Sequence, residues 1–338
     1  MEDLARFIQG MPKAELHMHL EGSVEPEVMI AMAQRNGVDF PFKTADALRA
    51  AFDFDDLQSF LDLLYAGNEV LRTEQDFFDM TWRYLERAHA DHVLRAEVFL
   101  TPQAHTRRGI SFDVVMAGVL RGLDQARRRL GISTDLIIGF QRHRSEQEGF
   151  EILEMAKPYR DKILGIGLGG AEAGNPPSKF RQLFDACRPL GWRIVAHAGE
   201  EGPAQYVNEA LDVLKVERLD HGVRCEESPA LVRRLAESRI PLTVCPLSNV
   251  KLRVFPTLGS HNLKRLLHAG LCVTVNSDDP TQFGGYVNDN LMQCQRVLGL
   301  SKANVVELAA NSFRSAFLPD DRKKDYLARL DSYVENFR

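Results

Sequence analysis

The stretch KAELHMHL, residues 13–20, sets the frame for reading the rest of the chain. It is short and largely apolar, as a buried strand is, and two imidazoles, His17 and His19, sit two positions apart near its end. Side chains at i and i+2 of a strand share one face. In a barrel, both rings would point inward, close enough to share one metal ion, and neutral imidazole nitrogen is a good zinc ligand. A lone His-x-His is also met as two polar residues at a strand end, so the remaining strands have to decide.

Seven further stretches read as buried strands: 93–100 (VLRAEVFL), 134–141 (TDLIIGFQ), 163–169 (ILGIGLG), 192–197 (WRIVAH), 216–221 (VERLDH), 240–245 (IPLTVC) and 271–277 (LCVTVNS). Amphipathic helical patterns lie between them, as at 112–130, 145–157, 178–188, 204–214, 228–239 and 260–269. Pro26 opens one helix and Gly37 closes it, Ser228-Pro229 opens another, and Gly270 ends the helix before the last strand. This repeated alternation predicts an α/β chain folded as a (β/α)8 TIM barrel. On rhythm alone, a doubly wound sheet is the alternative. No internal repeat, low-complexity segment or linker divides the chain, so residues 1–338 read as a single domain. The rhythm breaks once, after the first strand, where a helical insertion at about 40–92 is expected to cover the C-terminal face of the barrel. Phe52, Phe54, Leu57 and Phe60 belong either to an apolar mouth or to the core of the inserted helices.

Composition narrows the partners. Of 338 residues, 44% are hydrophobic and 26% charged, and the net charge is −5. Without a basic stripe to meet phosphates, nucleic-acid binding is not expected, and Arg127–Arg129 reads as a solvated helix end. No apolar run is long enough for a membrane span. The opening Met-Glu-Asp-Leu-Ala-Arg does not resemble a secretory signal. The five cysteines, Cys187, Cys225, Cys245, Cys272 and Cys294, are widely spaced and lack a Cys-x-x-Cys pair, which fits a reducing cytoplasm and argues against a cysteine metal site.

Chemistry-bearing residues gather where predicted strands stop. His197-Ala198-Gly199-Glu200 follows the fifth, Asp220-His221-Gly222 the sixth, and Asn276-Ser277-Asp278-Asp279-Pro280 the eighth. Barrel active sites are assembled from separate strand ends on that face. Of the other histidines, His105 follows the second strand and is a minor candidate to approach the site. His89, His92, His143, His261 and His268 have no partner motif.

The set HMHLEG, HAGE, DHG, PLSN and NSDDP, in this order from Pro12 to about Ser315, resembles the adenosine and adenine deaminase family of metal-dependent amidohydrolases. The resemblance implies one zinc ion per chain held by His17, His19, His197 and Asp278. It implies that His221 orients the attacking hydroxide, that Glu200 gives a proton to the purine ring, and that Asp279 hydrogen-bonds the ring at N7. The implied reaction is hydrolytic deamination within purine salvage. Adenine, giving hypoxanthine and ammonia, is the favoured substrate because Glu21 stands where the adenosine branch usually carries Asp. Its longer side chain would enter ribose space and accept from N9–H, with Gly170 and Glu172 beside it. Adenosine and N6-substituted adenines remain the alternative substrates. The implied partner is a small purine, with neither nucleic acid nor membrane, and a homo-oligomer is left open.

Overall fold

Eight parallel strands follow one another in sequence order: β1 (Lys13–Glu15), β2 (Val93–Leu100), β3 (Ser133–Gln141), β4 (Ile163–Gly169), β5 (Arg193–Ala198), β6 (Arg218–His221), β7 (Leu242–Val244) and β8 (Val273–Val275). The structure, a computed structural model, describes residues 2–337. The ring closes between the first and last strands through a parallel bridge of Met18 with Asp278. There the His19 N–H donates to Asp278 O at 2.8 Å and the Asp278 N–H donates to His17 O at 3.1 Å. This is the (β/α)8 barrel expected from the alternation of elements.

Each observed strand falls within or close to its predicted stretch, but β1, β7 and β8 are shorter than their apolar runs. His17 and His19 lie beyond the regular ladder of β1, in a segment held by single bridges to Asp278 and Phe99.

Helices cover the outside of the barrel. Glu74–Ala90 and Phe112–Arg129 pack closely against each other because the second helix offers glycines at the contact. A Cβ at Gly118 would collide with the Glu74 carbonyl, and one at Gly122 would lie 2.7 Å from Thr81 Cβ. The segment 40–92 also holds Ala45–Ala50 and Leu57–Gly67. Asp56 caps the latter by accepting from Ser59 N–H at 2.8 Å, and the Ser59 hydroxyl is positioned against the cap backbone. The buried guanidinium groups of Arg95 and Arg218 both pair with Glu97, as burial demands. Arg218 donates to Glu97 at 2.6 Å and to Leu16 O at 3.1 Å. No helix among the described residues is long and apolar enough to cross a membrane. All five cysteines are free and buried.

Candidate active site

The ends of β1, β5, β6 and β8 bring four imidazoles and a carboxylate to one point. The His17 ring is fully buried, with Nδ1 3.0 Å from the Thr243 hydroxyl, which itself donates to Asp220 at 2.9 Å. A hydroxyl whose proton goes to Asp220 accepts from His17 Nδ1–H, which leaves His17 Nε2 as a bare lone pair. That nitrogen has no hydrogen-bond partner and lies 3.2 Å from Asp278 Oδ1. His19 Nε2 is 3.3 Å from the same oxygen, and His221 Nε2 is 3.7 Å from Asp278 Oδ2. Asp220 lies beneath the cluster, with Oδ2 3.5 Å from His197 Nδ1. An acceptor behind the distal ring nitrogen is what fixes a metal-binding imidazole.

The donor atoms of His17, His197, His221 and Asp278 lie within 4.8 Å of one another, and so do those of His19, Asp278 and Asp279. The ligand set expected from the sequence spans both groups, and Asp278 is common to them. A buried, partnerless imidazole nitrogen facing a carboxylate and further imidazoles fits a divalent metal of the zinc type. The backbone is strained at two of these positions. His221 has φ +61° and Asp278 φ +64°, a left-handed conformation that few non-glycine residues adopt; elsewhere in the chain it is taken by His92, Lys215, Arg239 and Arg253.

Glu200 sits in the turn after β5, buried, with its carboxyl 3.5 Å from His221 Nε2. Burial first, then the charges of Asp278 and Glu172, push its pKa well above the ordinary carboxyl value. Burial likewise lowers His221 to about 3. These shifts favour the protonated form of the Glu200 acid and the neutral form of the His221 imidazole, an acid and a base side by side.

A cavity opens above the cluster. Its wall includes His19, Glu21, Phe99, Gln141, Gly170, Glu200, His221, Asp278 and Asp279. Leu57, Phe60, Leu61 and Leu64 from the helical insertion close the apolar side. Phe54 packs behind them against Phe60, at 5.4 Å between ring centres. Asp279 is buried, its Oδ1 has no partner, and burial raises its pKa strongly. Gly22 makes room for it, since a Cβ there would run into the Asp279 carboxylate. Gly170 has φ +88° and abuts His143, whose Nδ1 would be 3.0 Å from a Cβ at that position.

Glu21 Oε1 accepts from Thr101 N–H at 2.7 Å and from His105 Nε2 at 3.2 Å, while Oε2 is buried without a partner. Burial alone would raise this carboxyl, but the hydrogen bonds from His105 and from the Thr101 backbone hold it below its ordinary value. His105, a minor candidate in the sequence, is thus the direct support of Glu21. Its Nδ1 lies 2.8 Å from Arg108 Nη2. Glu172 does not join Glu21 on the cavity wall, contrary to expectation. It lies outside the cavity lining, and its carboxylate is occupied by the backbone of residues 199–202.

Several supporting residues escaped the sequence reading. In the sequence Asp220 stands only within a motif, and Thr243 only within a predicted strand. His261, assigned no role, lies 3.2 Å from Asn249 Oδ1, and Asn249 Nδ2 lies 3.4 Å from His221 Nδ1. The PLSN motif contains Asn249 and was the available signal for that chain of contacts.

A parallel eight-stranded barrel with imidazoles and a carboxylate facing one another at its C-terminal mouth is the layout of a metal-assisted hydrolase. More closely, the chain belongs to the adenosine deaminase family, whose model matches residues 12–333. It is 56% identical over 336 residues to the adenine deaminase of Albidiferax ferrireducens, covering 99% of this chain and 97% of the relative. The crystal structure of an adenine deaminase from Arthrobacter aurescens superposes with a TM-score of 0.95 at 50% identity, covering 96% of this chain and 99% of that one. An amidohydrolase from Burkholderia ambifaria, crystallised with bound Zn, gives a TM-score of 0.91 at 29% identity over 100% of this chain and 95% of its own.

Proposed function

We propose that this chain hydrolyses adenine to hypoxanthine and ammonia, with one zinc ion held by His17, His19, His197 and Asp278. The observation that carries the substrate choice is the buried, unpartnered Oε2 of Glu21 on the cavity wall. An ionised carboxylate there accepts a charge-assisted hydrogen bond from N9–H of the free base, which a nucleoside lacks. The names of the relatives above agree with this reading. When bound, zinc supplies Lewis acidity that makes water a nucleophile near neutral pH.

The protein side chains do the rest. Glu200 delivers its proton to ring N1, making C6 electrophilic enough for attack by the water oxygen. His221 holds that oxygen on line to C6. Asp279, kept protonated by burial, donates to N7, and Gly170 presents backbone to the N3 edge. The hydroxyl of water adds to C6 as N1 takes the Glu200 proton; the proton that water releases passes by His221 to the amino group, the C6–N bond breaks, the C6 hydroxyl returns its proton to Glu200 as the carbonyl forms, and ammonia leaves. We read the helical insertion at about 40–92 as a lid, on the support of Leu57–Leu64 along the apolar wall. The five free thiols support a reducing cytoplasm as its setting.

The test is ammonia release from adenine, adenosine and N6-methyladenine, each with and without a chelator. Chelator-sensitive turnover that is highest on adenine is the expected result. Adenosine turnover equal to or above adenine turnover would replace this reading with the nucleoside one.

A further inference from the structure

We propose that Glu172 is a positioning residue for the catalytic acid Glu200, acting by clasping the backbone of the turn that carries it. Its side chain is wholly buried in the loop after β4. Its Oε1 accepts from Gly199 N–H at 2.8 Å. Its Oε2 accepts from the N–H groups of Glu200 at 3.0 Å, Glu201 at 3.0 Å and Gly202 at 2.7 Å. Four consecutive backbone donors therefore converge on one carboxylate, the concave arrangement with which a backbone binds an anion.

The clasp is built closely. A Cβ at Gly202 would lie 2.6 Å from Glu172 Cδ, so glycine is needed for the turn to reach the carboxylate. Arg142, at the end of β3, braces the other side. Its Nη1 is 3.9 Å from Glu172 Oε1 and donates to His197 O at 2.6 Å, while its Nε donates to Asn175 O at 2.8 Å. The Glu200 turn is thus tied to the ends of β3, β4 and β5 at once. Loops ordinarily hold a side chain less precisely than strands do, and supporting hydrogen bonds of this kind are what make up the difference. Because Glu172 is not on the cavity wall, it acts only through the residue it holds.

A neutral amide cannot replace it. An amide has a single acceptor oxygen, and its NH2 would face backbone N–H donors. Such a change loosens the turn that carries Glu200, while the His17, His19 and His221 rings are held by contacts that do not involve Glu172. A misplacement of about 1 Å costs on the order of a hundredfold in rate.

This inference rests on the reading of Glu200 as proton donor, and a double-mutant cycle separates the two. Glu172→Gln, Glu200→Gln and the double variant are compared for kcat, KM on adenine and bound zinc. Glu172→Gln should lower kcat about a hundredfold with KM changed only a few-fold and zinc retained, and the double variant should be no slower than Glu200→Gln alone. An unchanged kcat in Glu172→Gln, or a further loss of similar size in the double variant, would overturn the positioning role. Full activity in Glu200→Gln would instead overturn the reading of Glu200. If Glu172→Gln does not fold, Gly202→Ala pushes on the same carboxylate while keeping its charge. It should lower kcat in the native background and have no effect in the Glu200→Gln background, and additivity there counts against the proposal.

Discussion

His19 Nε2 and His197 Nε2 lie 3.1 Å apart, although 178 residues of sequence separate them. Two ring nitrogens this close, each also near Asp278 or backed by Asp220, converge on a common point as ligands of one ion do. Elemental analysis should return about one transition metal per chain, zinc foremost, since imidazole-rich sites disfavour magnesium. His197→Ala should lose both metal and turnover. Full activity in metal-depleted protein would remove the metal from the mechanism.

Glu200→Gln keeps the shape of the acid and removes its proton. Turnover should fall by at least about a hundredfold, with KM changed far less and zinc content normal. Loss of zinc in this variant would make Glu200 a ligand instead.

His221 is the residue on which the two roles are most finely divided, because its Nε2 lies among the possible ligand atoms as well as beside Glu200. His221→Ala should retain metal while kcat collapses, as loss of a group positioned at the attacking oxygen implies. Protein that purifies without metal would place His221 in the coordination shell.

Glu21 should set the choice of substrate. In Glu21→Gln the carboxylate that would accept from N9–H is gone, and kcat/KM for adenine should drop by about tenfold or more, the size expected for a charged hydrogen bond. Glu21→Asp draws the oxygen back and should narrow the ratio of adenine to adenosine turnover. A ratio left unmoved by both variants would detach Glu21 from the base.

Lys13 gives the stability of the barrel a measurable pH dependence. Burial lowers its pKa from 10.5 to about 7, against the attraction of Asp91 and Glu15. Between those values the unfolded chain binds more protons than the folded one, so this group makes stability rise with pH across the window. Below about pH 7 the ammonium is charged in both states and its burial cost is fully present. Relative to the native protein, Lys13→Met should show a flatter rise of Tm from pH 7 to 10. Parallel profiles would mean that Lys13 titrates as an ordinary lysine.

The sequence by itself determined the barrel and most of its mouth. Apolar runs of strand length alternating with helical periodicity admit few folds, and polar residues at the ends of such runs have nowhere to go but the C-terminal face. His17, His19, His197, Glu200, His221, Asp278 and Asp279 were legible because each sits within a few residues of a strand end. The tertiary structure alone decided what stands behind them. Glu172 reads in the sequence as a neighbour of the substrate, yet it holds the Glu200 turn. Asp220, Thr243 and Asn249 read as strand or loop residues, yet they hold His17, His197 and His221. Periodicity reports which face a side chain takes, and that depends only on its own strand. Which donor meets which acceptor depends on the stagger and closure of all eight strands, and neighbouring residues along the chain do not encode that.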